Sequence, residues 1–378
     1  MSKTVLIIGA GVAGLTAAKA AVKRGCRVIL SGREPYLPYY RPRLIEVLSA
    51  GLSVDALFIQ KPEWFKTSGI ELKLSLIAQE IDVENKTAIF ADDSRVHYDE
   101  LVLACGAVPN KAVLPFACDV FGLRSYDDAL AINKACSEKG SAFIVGGGLL
   151  GIETAFALHK RGIKVSVAER AEYLLPRQLD RIGGDFLKAR LEQTGITIYV
   201  NVAGSAIQSH LQESTVIAAS GIIPDIGFLR NSSIAVSRGI LVDEAMKTSL
   251  SDVFACGDMA EFNSSIPGLA IVAVKQGETA GISACGDQAV YCEPIGSPLL
   301  KVADISVMSV GSVEIDEDAT VLRYQNGPNY GVAVLRQGRV RGAALIGNTS
   351  AGVKLKAAVE NKTVFTSLAT FEDLLLRL

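Results

Sequence analysis

The chain contains one passage twice. Val5-Leu6-Ile7-Ile8 runs into Gly9-Ala10-Gly11-Val12-Ala13-Gly14 and then into an alanine- and leucine-rich stretch, 15–23. Ala142-Phe143-Ile144-Val145 runs likewise into Gly146-Gly147-Gly148-Leu149-Leu150-Gly151 and a stretch ending at His159. A short unbroken apolar run bounded by turn residues is a strand buried on both faces, and G-x-G-x-x-G between such a strand and a helix is the turn that seats a dinucleotide pyrophosphate. Gly9 and Gly146 permit the tight turn, Gly11 and Gly148 let the backbone approach the phosphates, and Gly14 and Gly151 let the helix pack closely on the strand. The phosphates then rest on the positive helix N-terminus. A single such spacing also arises from ordinary turns. Two copies in strand–turn–helix context, 137 positions apart (146 minus 9), restrict the chain to an α/β fold with two Rossmann-like dinucleotide-binding units.

A strand follows each helix, Arg27-Val28-Ile29-Leu30 after Gly25 and Lys164 to Ala168 in the second copy. Between the units, strands are expected at 81–87 and 95–98 around the turn 91–94, leading into 101–109. After the second unit, strands are expected at 197–200, 215–219 and 252–255. Pro294-Ile295-Gly296-Ser297-Pro298 marks a linker. The last ~80 residues alternate short strands, 332–335 and 340–345, with a closing helix, which predicts a small α+β domain. A length of 378 residues accommodates two or three domains at about 150 each.

The strand after each glycine turn should end in an acid for the adenosine ribose hydroxyls. In the second unit Glu169, 18 positions after Gly151, fills that role. Its carboxylate accepts from a 2′-hydroxyl and repels a 2′-phosphate, so NADH is favoured over NADPH, with the neighbouring Arg170 able to soften the preference. In the first unit the equivalent position is Gly32, and the nearest acid is Glu34.

Four segments carry a family resemblance over essentially the whole chain. Gly32-Arg33-Glu34-Pro35-Tyr36-Leu37-Pro38-Tyr39-Tyr40-Arg41-Pro42, Leu103-Ala104-Cys105-Gly106-Ala107-Val108-Pro109, Ala219 to Pro224, and Thr248-Ser249 with Asp252 to Asp258 resemble, in that order, the flavoprotein pyridine-nucleotide reductases. The resemblance implies FAD and NADH in separate Rossmann domains. FAD contacts fall on Gly9, Gly11, Gly14, Glu34, Arg41, Pro42, Ala104, Gly106, Gly257 and Asp258, with Glu34 as the ribose acid and Asp258 at the ribityl chain. NAD contacts fall on Gly146, Gly148, Gly151, Glu153 and Glu169. The implied organisation is an FAD domain of residues 1–110 and 236–294, an inserted NAD domain of 111–235, and a C-terminal α+β domain of 295–378.

Tyr39 to Leu44, Gly146 to Glu153, Arg177 to Arg181 and the short C-terminal domain are most similar to the branch that reduces rubredoxin. The implied function is electron transfer from NADH through FAD to rubredoxin or a similar small acidic one-electron carrier. NADH oxidase, nitrite-reductase-type and ferredoxin-reductase chemistry are alternatives, as is a redox-sensing interaction protein. Glu153 is a nicotinamide contact or else a first-turn acid suited to the helix dipole. Many relatives carry a Lys partner where this chain has Glu46.

Related disulfide reductases carry C-x-x-x-x-C or C-x-x-C pairs, which this chain lacks, and the single redox cysteine of a sister branch corresponds to Ala50. No catalytic side chain is therefore assigned, and the chemistry is centred on the flavin. Seven cysteines, at 26, 105, 118, 136, 256, 285 and 292, lack zinc spacing and read as reduced thiols. His97, His159 and His210 are dispersed, and no metal site is expected. With 38 basic against 40 acidic residues, no global field recruits nucleic acid or a membrane. The chain enters its first strand at Val5, and no apolar run approaches the roughly 18 residues needed to span a bilayer; a cytoplasmic protein is expected. Carrier docking is expected near Arg33, Arg41 and Arg43 or at Arg336, Arg339, Arg341, Lys354 and Lys356, a window of 21 positions containing no acid.

Overall fold

The computed structural model describes residues 2–111, 119–202 and 213–378; Cys118 and His210 lie outside the described residues. The chain forms two compact units, Met1–Leu44 with Leu52–Val108 and Ile222–Pro294, and Ile45–Gly51 with Pro109–Gly221 and Ile295–Leu378.

In the first unit, Thr4–Ile8 is the central strand of a five-stranded parallel sheet. Its order is Val253–Ala255, Glu100–Leu103, Thr4–Ile8, Arg27–Ser31, Ile70–Lys73. Side chains alternate along a strand, so Val5 and Ile7 join one core while Leu6 and Ile8 join another. Helices Val12–Val22 and Ala270–Ala284 cover the first face. An antiparallel sheet, Ala78–Asp82, Thr87–Phe90 and Arg95–His97, covers the second through Ile81, Ala88 and Phe90. The single strand expected over 81–87 is thus two strands. Asp82 stops the first by accepting from the backbone N–H and side-chain amide of Asn85 (3.0 and 2.8 Å), and Lys86 turns the chain at φ 48°.

Helices Val12–Val22 and Ala270–Ala284 cross through small residues. A Cβ on Gly277 would lie 2.3 Å from the Ala13 carbonyl oxygen, and one on Gly281 would lie 2.3 Å from that of Ala17. On sequence grounds the inserted domain runs to 235. In the structure residues 222–235 pack with the first unit, where Leu229 and Ile234 share the core of Leu6 and Ile8.

The second unit repeats the parallel sheet in the order Thr197–Tyr199, Lys164–Ala168, Ser141–Val145, Thr215–Ala218, Val120–Gly122. It also contains an antiparallel sheet ordered Leu299–Val302, Ile305–Gly311, Arg339–Ile346, Asn329–Arg336, Thr320–Asn326. Two helices, Gly352–Glu360 and Phe371–Arg377, close the chain where one was expected. Asp180 ties the two sheets together. It caps helix Arg181–Glu192 by accepting from Gly183 N–H (3.0 Å), and it accepts from Tyr330 Oη (2.7 Å) and Arg323 Nε (2.8 Å) while only 5% exposed. Burial, followed by the Asp180 carboxylate, pushes the Tyr330 phenol above its ordinary value. Among the described residues no helix is long and apolar enough to cross a membrane.

Removing one partner of a buried charged network leaves the others desolvated and unpaired. Asp180→Ala should therefore cost about 3–5 kcal/mol of stability, and Tyr330→Phe, which deletes one bond to a charged acceptor, about 1.5–3 kcal/mol. Thermal or denaturant unfolding of the two single variants and the double variant checks this, and the double should cost clearly less than the sum because the two share one bond.

Candidate functional site: two glycine turns and their acids

Both glycine turns have the geometry their spacing predicts. Gly9 and Gly146 stand at φ 118° and 122°, a region that disfavours side chains. Their absent Cβ positions lie against the neighbouring strand's end, 2.1 Å from the Ala104 carbonyl oxygen and 2.5 Å from that of Ala219. A Cβ on Gly14 would meet the Gly9 oxygen at 1.8 Å, and one on Gly151 the Gly146 oxygen at 1.9 Å. The middle glycines differ: nothing lies within 4 Å of a Cβ built on Gly11 or Gly148. Each is the N-cap of its helix, and neither offers a side-chain cap. The first helical N–H groups, which have no intrahelical partner, thus face open space in both units. That cradle fits the pyrophosphates of FAD and NADH.

The acids diverge between the units for a packing reason. In the second, Gly147 leaves room for Glu169, whose two carboxylate oxygens accept from Gly147 N–H and Ala171 N–H, both at 2.7 Å. A carboxylate has about four acceptor positions, so capacity is left for two ribose hydroxyls. Arg170 beside it is exposed. In the first unit Ala10 replaces the loop glycine, and a Cβ at Gly32 would lie 2.7 Å from Ala10 Cβ. No acid fits there. Glu34 lies two positions later, accepting from Tyr39 Oη (2.6 Å) and Arg41 Nη2 (2.5 Å), with Arg41 also stacked over the Tyr39 ring. Pro42 is the second residue of the 3-10 turn Arg41–Arg43.

Cys105 and Cys256 sit at the ends of neighbouring parallel strands, and burial pushes both thiols up to about 12. Thiolates are thereby disfavoured at both positions. Gly106 turns at φ 77°, and its carbonyl accepts from Asp225 N–H (3.0 Å). Gly257, at φ 76°, abuts Ala13 at the start of the first helix, and its N–H donates to Gln276 Oε1 (2.8 Å). This sets Asp258 beside the first glycine turn. Gln276, 1% exposed, escaped sequence reasoning; its one signal was a polar residue inside an apolar helix.

Two expectations are corrected. Glu153 lies in the second turn of helix Leu149–His159, which has no acid in its first turn, so helix-dipole compensation does not apply. Burial alone pushes its carboxyl up to about 7. Three of the five cations in the positive window at 336–356 are paired with acids from just outside it. Arg336 pairs with Asp318 (3.1 Å), Arg341 with Asp316 (2.5 Å) and Lys356 with Glu360 (3.7 Å). The N-terminal candidates are also engaged, Arg33 with Asp225, Arg41 with Glu34, and Arg43 with the Ala56 carbonyl. Ala50, at the redox-cysteine position, ends helix Leu44–Ala50 and is exposed. His97 Nδ1 is hydrogen-bonded to Thr87 Oγ1 (2.7 Å). Among the described residues no group of three metal-ligating side chains assembles.

Residues 3–277 match the family described as pyridine nucleotide-disulphide oxidoreductase, and residues 297–363 match the rubredoxin NAD+ reductase C-terminal domain. The chain belongs to the pyridine nucleotide-disulphide oxidoreductase family and is an enzyme of that class. It is 42% identical over 374 residues to the NADH-rubredoxin oxidoreductase of Clostridium acetobutylicum, covering 99% of each chain. The crystal structure of NADH:rubredoxin oxidoreductase from Clostridium acetobutylicum matches at TM-score 0.90 with all of both chains covered. The assimilatory nitrate reductase electron transfer subunit of Bacillus subtilis is 29% identical over 92% of this chain, which spans 48% of that longer protein.

The Glu153 shift makes a signed prediction. Between its ordinary value of 4.5 and about 7, the unfolded chain releases a proton that the folded chain keeps, so stability falls as pH rises through this window and the penalty is complete above it. Glu153→Gln should therefore stabilise the protein at pH 8 by a few kcal/mol and by far less at pH 4.5–5. Melting temperatures of both proteins across this range test it; a pH-independent difference would place Glu153 in solvent.

Proposed function

We propose that this chain is a cytoplasmic NADH-dependent flavoprotein oxidoreductase that passes electrons from NADH through FAD to rubredoxin or a similar small acidic one-electron carrier. The observation that carries the reading is the pair of dinucleotide cradles in one chain, with Cys105 and Cys256, at the ends of neighbouring strands in the first unit, disfavoured as thiolates by burial. The first unit, with Gly9, Gly11 and Gly14 at the pyrophosphate, is the FAD domain. Glu34, fixed by Tyr39 and Arg41, accepts from the adenosine ribose. Asp258, placed by the Gly257 turn, accepts from the ribityl hydroxyls, and Pro42, Ala104 and Gly106 shape the backbone along the cofactor. In the second unit Gly146, Gly148 and Gly151 receive the NADH pyrophosphate, Glu169 selects the unphosphorylated ribose, and Glu153 contacts the nicotinamide end. Residues 295–378 form the third domain, bound to the NAD domain through Asp180.

Bound FAD supplies the one chemistry these side chains lack, accepting two electrons together as hydride and releasing them singly. The protein's contribution is to bind and orient. With Ala50 at the thiol position and Cys105 and Cys256 held as neutral thiols, electrons need no sulfur relay. A cytoplasmic setting is supported by free thiols at 26, 105, 136, 256, 285 and 292.

Steady-state NADH and NADPH oxidation, measured anaerobically with rubredoxin and with ferredoxin and separately with oxygen alone, tests the reading. NADH should be preferred, Glu169→Ala should narrow that preference, and rubredoxin should support the fastest turnover. Equal use of both nucleotides would remove the role of Glu169. Full turnover with oxygen alone would replace the carrier reductase with an oxidase.

A further inference from the structure

The first unit brings together two cysteines that lie 259 positions apart in the sequence. Cys26 follows helix Val12–Val22 just before strand Arg27–Ser31, and its N–H donates to the Ala21 carbonyl (3.3 Å). Cys285 caps the C-terminal end of helix Ala270–Ala284. These two helices are held in close register by Gly277 over Ala13 and Gly281 over Ala17, so their C-terminal ends emerge side by side. Cys26 Sγ and Cys285 Sγ stand 2.7 Å apart, inside the van der Waals contact of two unbonded sulfurs. Both residues are partly exposed.

The surroundings are cationic on one side. Lys3, whose ammonium is raised chiefly by its hydrogen bond to Glu100, also feels both sulfurs, and Arg24 favours negative charge on Cys285. Against this, Arg24 is paired with Asp287 at 2.7 Å.

We propose that Cys26 and Cys285 are a reversible disulfide modification site, closed by a peroxide, that clamps the C-terminal ends of the two helices packed on the FAD-binding sheet. The thiolate of one cysteine attacks one peroxide oxygen, the O–O bond breaks, and that sulfur becomes a sulfenic acid with hydroxide released. The sulfur of the other cysteine then displaces the sulfenic hydroxyl as its own proton departs. In sum, two thiols and one hydrogen peroxide give one disulfide and two waters, with two electrons passing from sulfur to oxygen. Burial, reinforced by the neighbouring thiol, pushes Cys285 up to about 12, and the closeness of the two sulfurs lets either one resolve a sulfenic acid formed on the other. The other end of the first clamped helix carries the turn Gly11–Gly14, and the second carries Gln276, so the bond restrains elements that shape the FAD cradle. Cross-linking across so long a loop chiefly restricts the unfolded chain.

The test uses the FAD-loaded protein treated with hydrogen peroxide, then denatured, alkylated and digested. Intact mass should fall by two hydrogen atoms, two of the seven thiols should escape alkylation, and the linked peptide should join Cys26 to Cys285. The melting temperature should rise by roughly 5 °C or more, and dithiothreitol should reverse every change. Cys26→Ser should abolish the link and the shift; if that variant fails to fold, the peptide map of the parent protein decides alone. The proposal is overturned if both cysteines stay alkylatable while other thiols oxidise, if either pairs with a different cysteine, or if Cys26 passes to sulfinic acid without a cross-link. None of these readouts depends on which carrier accepts the electrons.

Discussion

In each unit the rest of the architecture depends on one contact, the seating of a helix start on the carbonyl of the turn that precedes it. Gly14 lies on the Gly9 oxygen and Gly151 on the Gly146 oxygen, each too close to admit any Cβ. Gly9 and Gly146 in turn lie on the carbonyls of Ala104 and Ala219 at the end of the adjacent strand. Strand, turn, helix and neighbouring strand are thus locked at one point. The helix N-terminus is aimed past the sheet edge, uncapped, into the space beyond the strand ends where ligands of open parallel sheets bind. In the first unit, the same closeness continues along the helix through Ala13 and Ala17 against Gly277 and Gly281, which brings Gln276, Gly257 and Asp258 to the cradle.

The units share this lock and differ one side chain away. Exchanging Gly147 for Ala10 fills the pocket in which Glu169 sits and forces glycine at 32, so the nearest acid in the first unit is Glu34 on the following segment. That divergence was legible in the sequence as a missing acid at the expected spacing. Its cause was not, because it lies in a contact between residues 22 positions apart. The resulting chemistry follows the same logic. Each unit presents a cradle of backbone N–H groups with a carboxylate nearby, while burial disfavours the thiolates of Cys105 and Cys256.

Local patterns were read well because they are set within a few residues of chain: both glycine turns, both βαβ openings and the α+β character of the C-terminal domain. The failures were of two kinds. The stretch 81–87 has apolar residues on both sides of a turn whose cause, Asp82 capped by Asn85, is a side-chain hydrogen bond rather than a glycine or proline. The others involve partners distant in sequence: Asp180 with Arg323 and Tyr330, the acids near 316 with Arg336 and Arg341, and Cys26 with Cys285. The acid-free window at 336–356 looked positive only because charge was counted along the chain. Arg336, Arg341 and Lys356 are paired with Asp316, Asp318 and Glu360, three acids supplied from just outside it. The motif around Asp180 had a family resemblance but no visible purpose until the sheet placed Tyr330 above it.

The central claim, that the open space beside the first turn is the seat of the FAD pyrophosphate, is tested most directly by Gly11→Ala. Gly11 has φ −77° and ψ −174°, which any residue adopts, and nothing lies within 4 Å of the added Cβ. The apoprotein should therefore fold and melt nearly as the parent does, apart from an N-cap cost of about 1 kcal/mol or less. Equilibrium titration of the apoprotein with FAD should show affinity lower by at least tenfold, because the methyl group occupies the place through which the phosphates reach the backbone N–H groups. FAD affinity unchanged in a correctly folded Gly11→Ala protein would contradict the account.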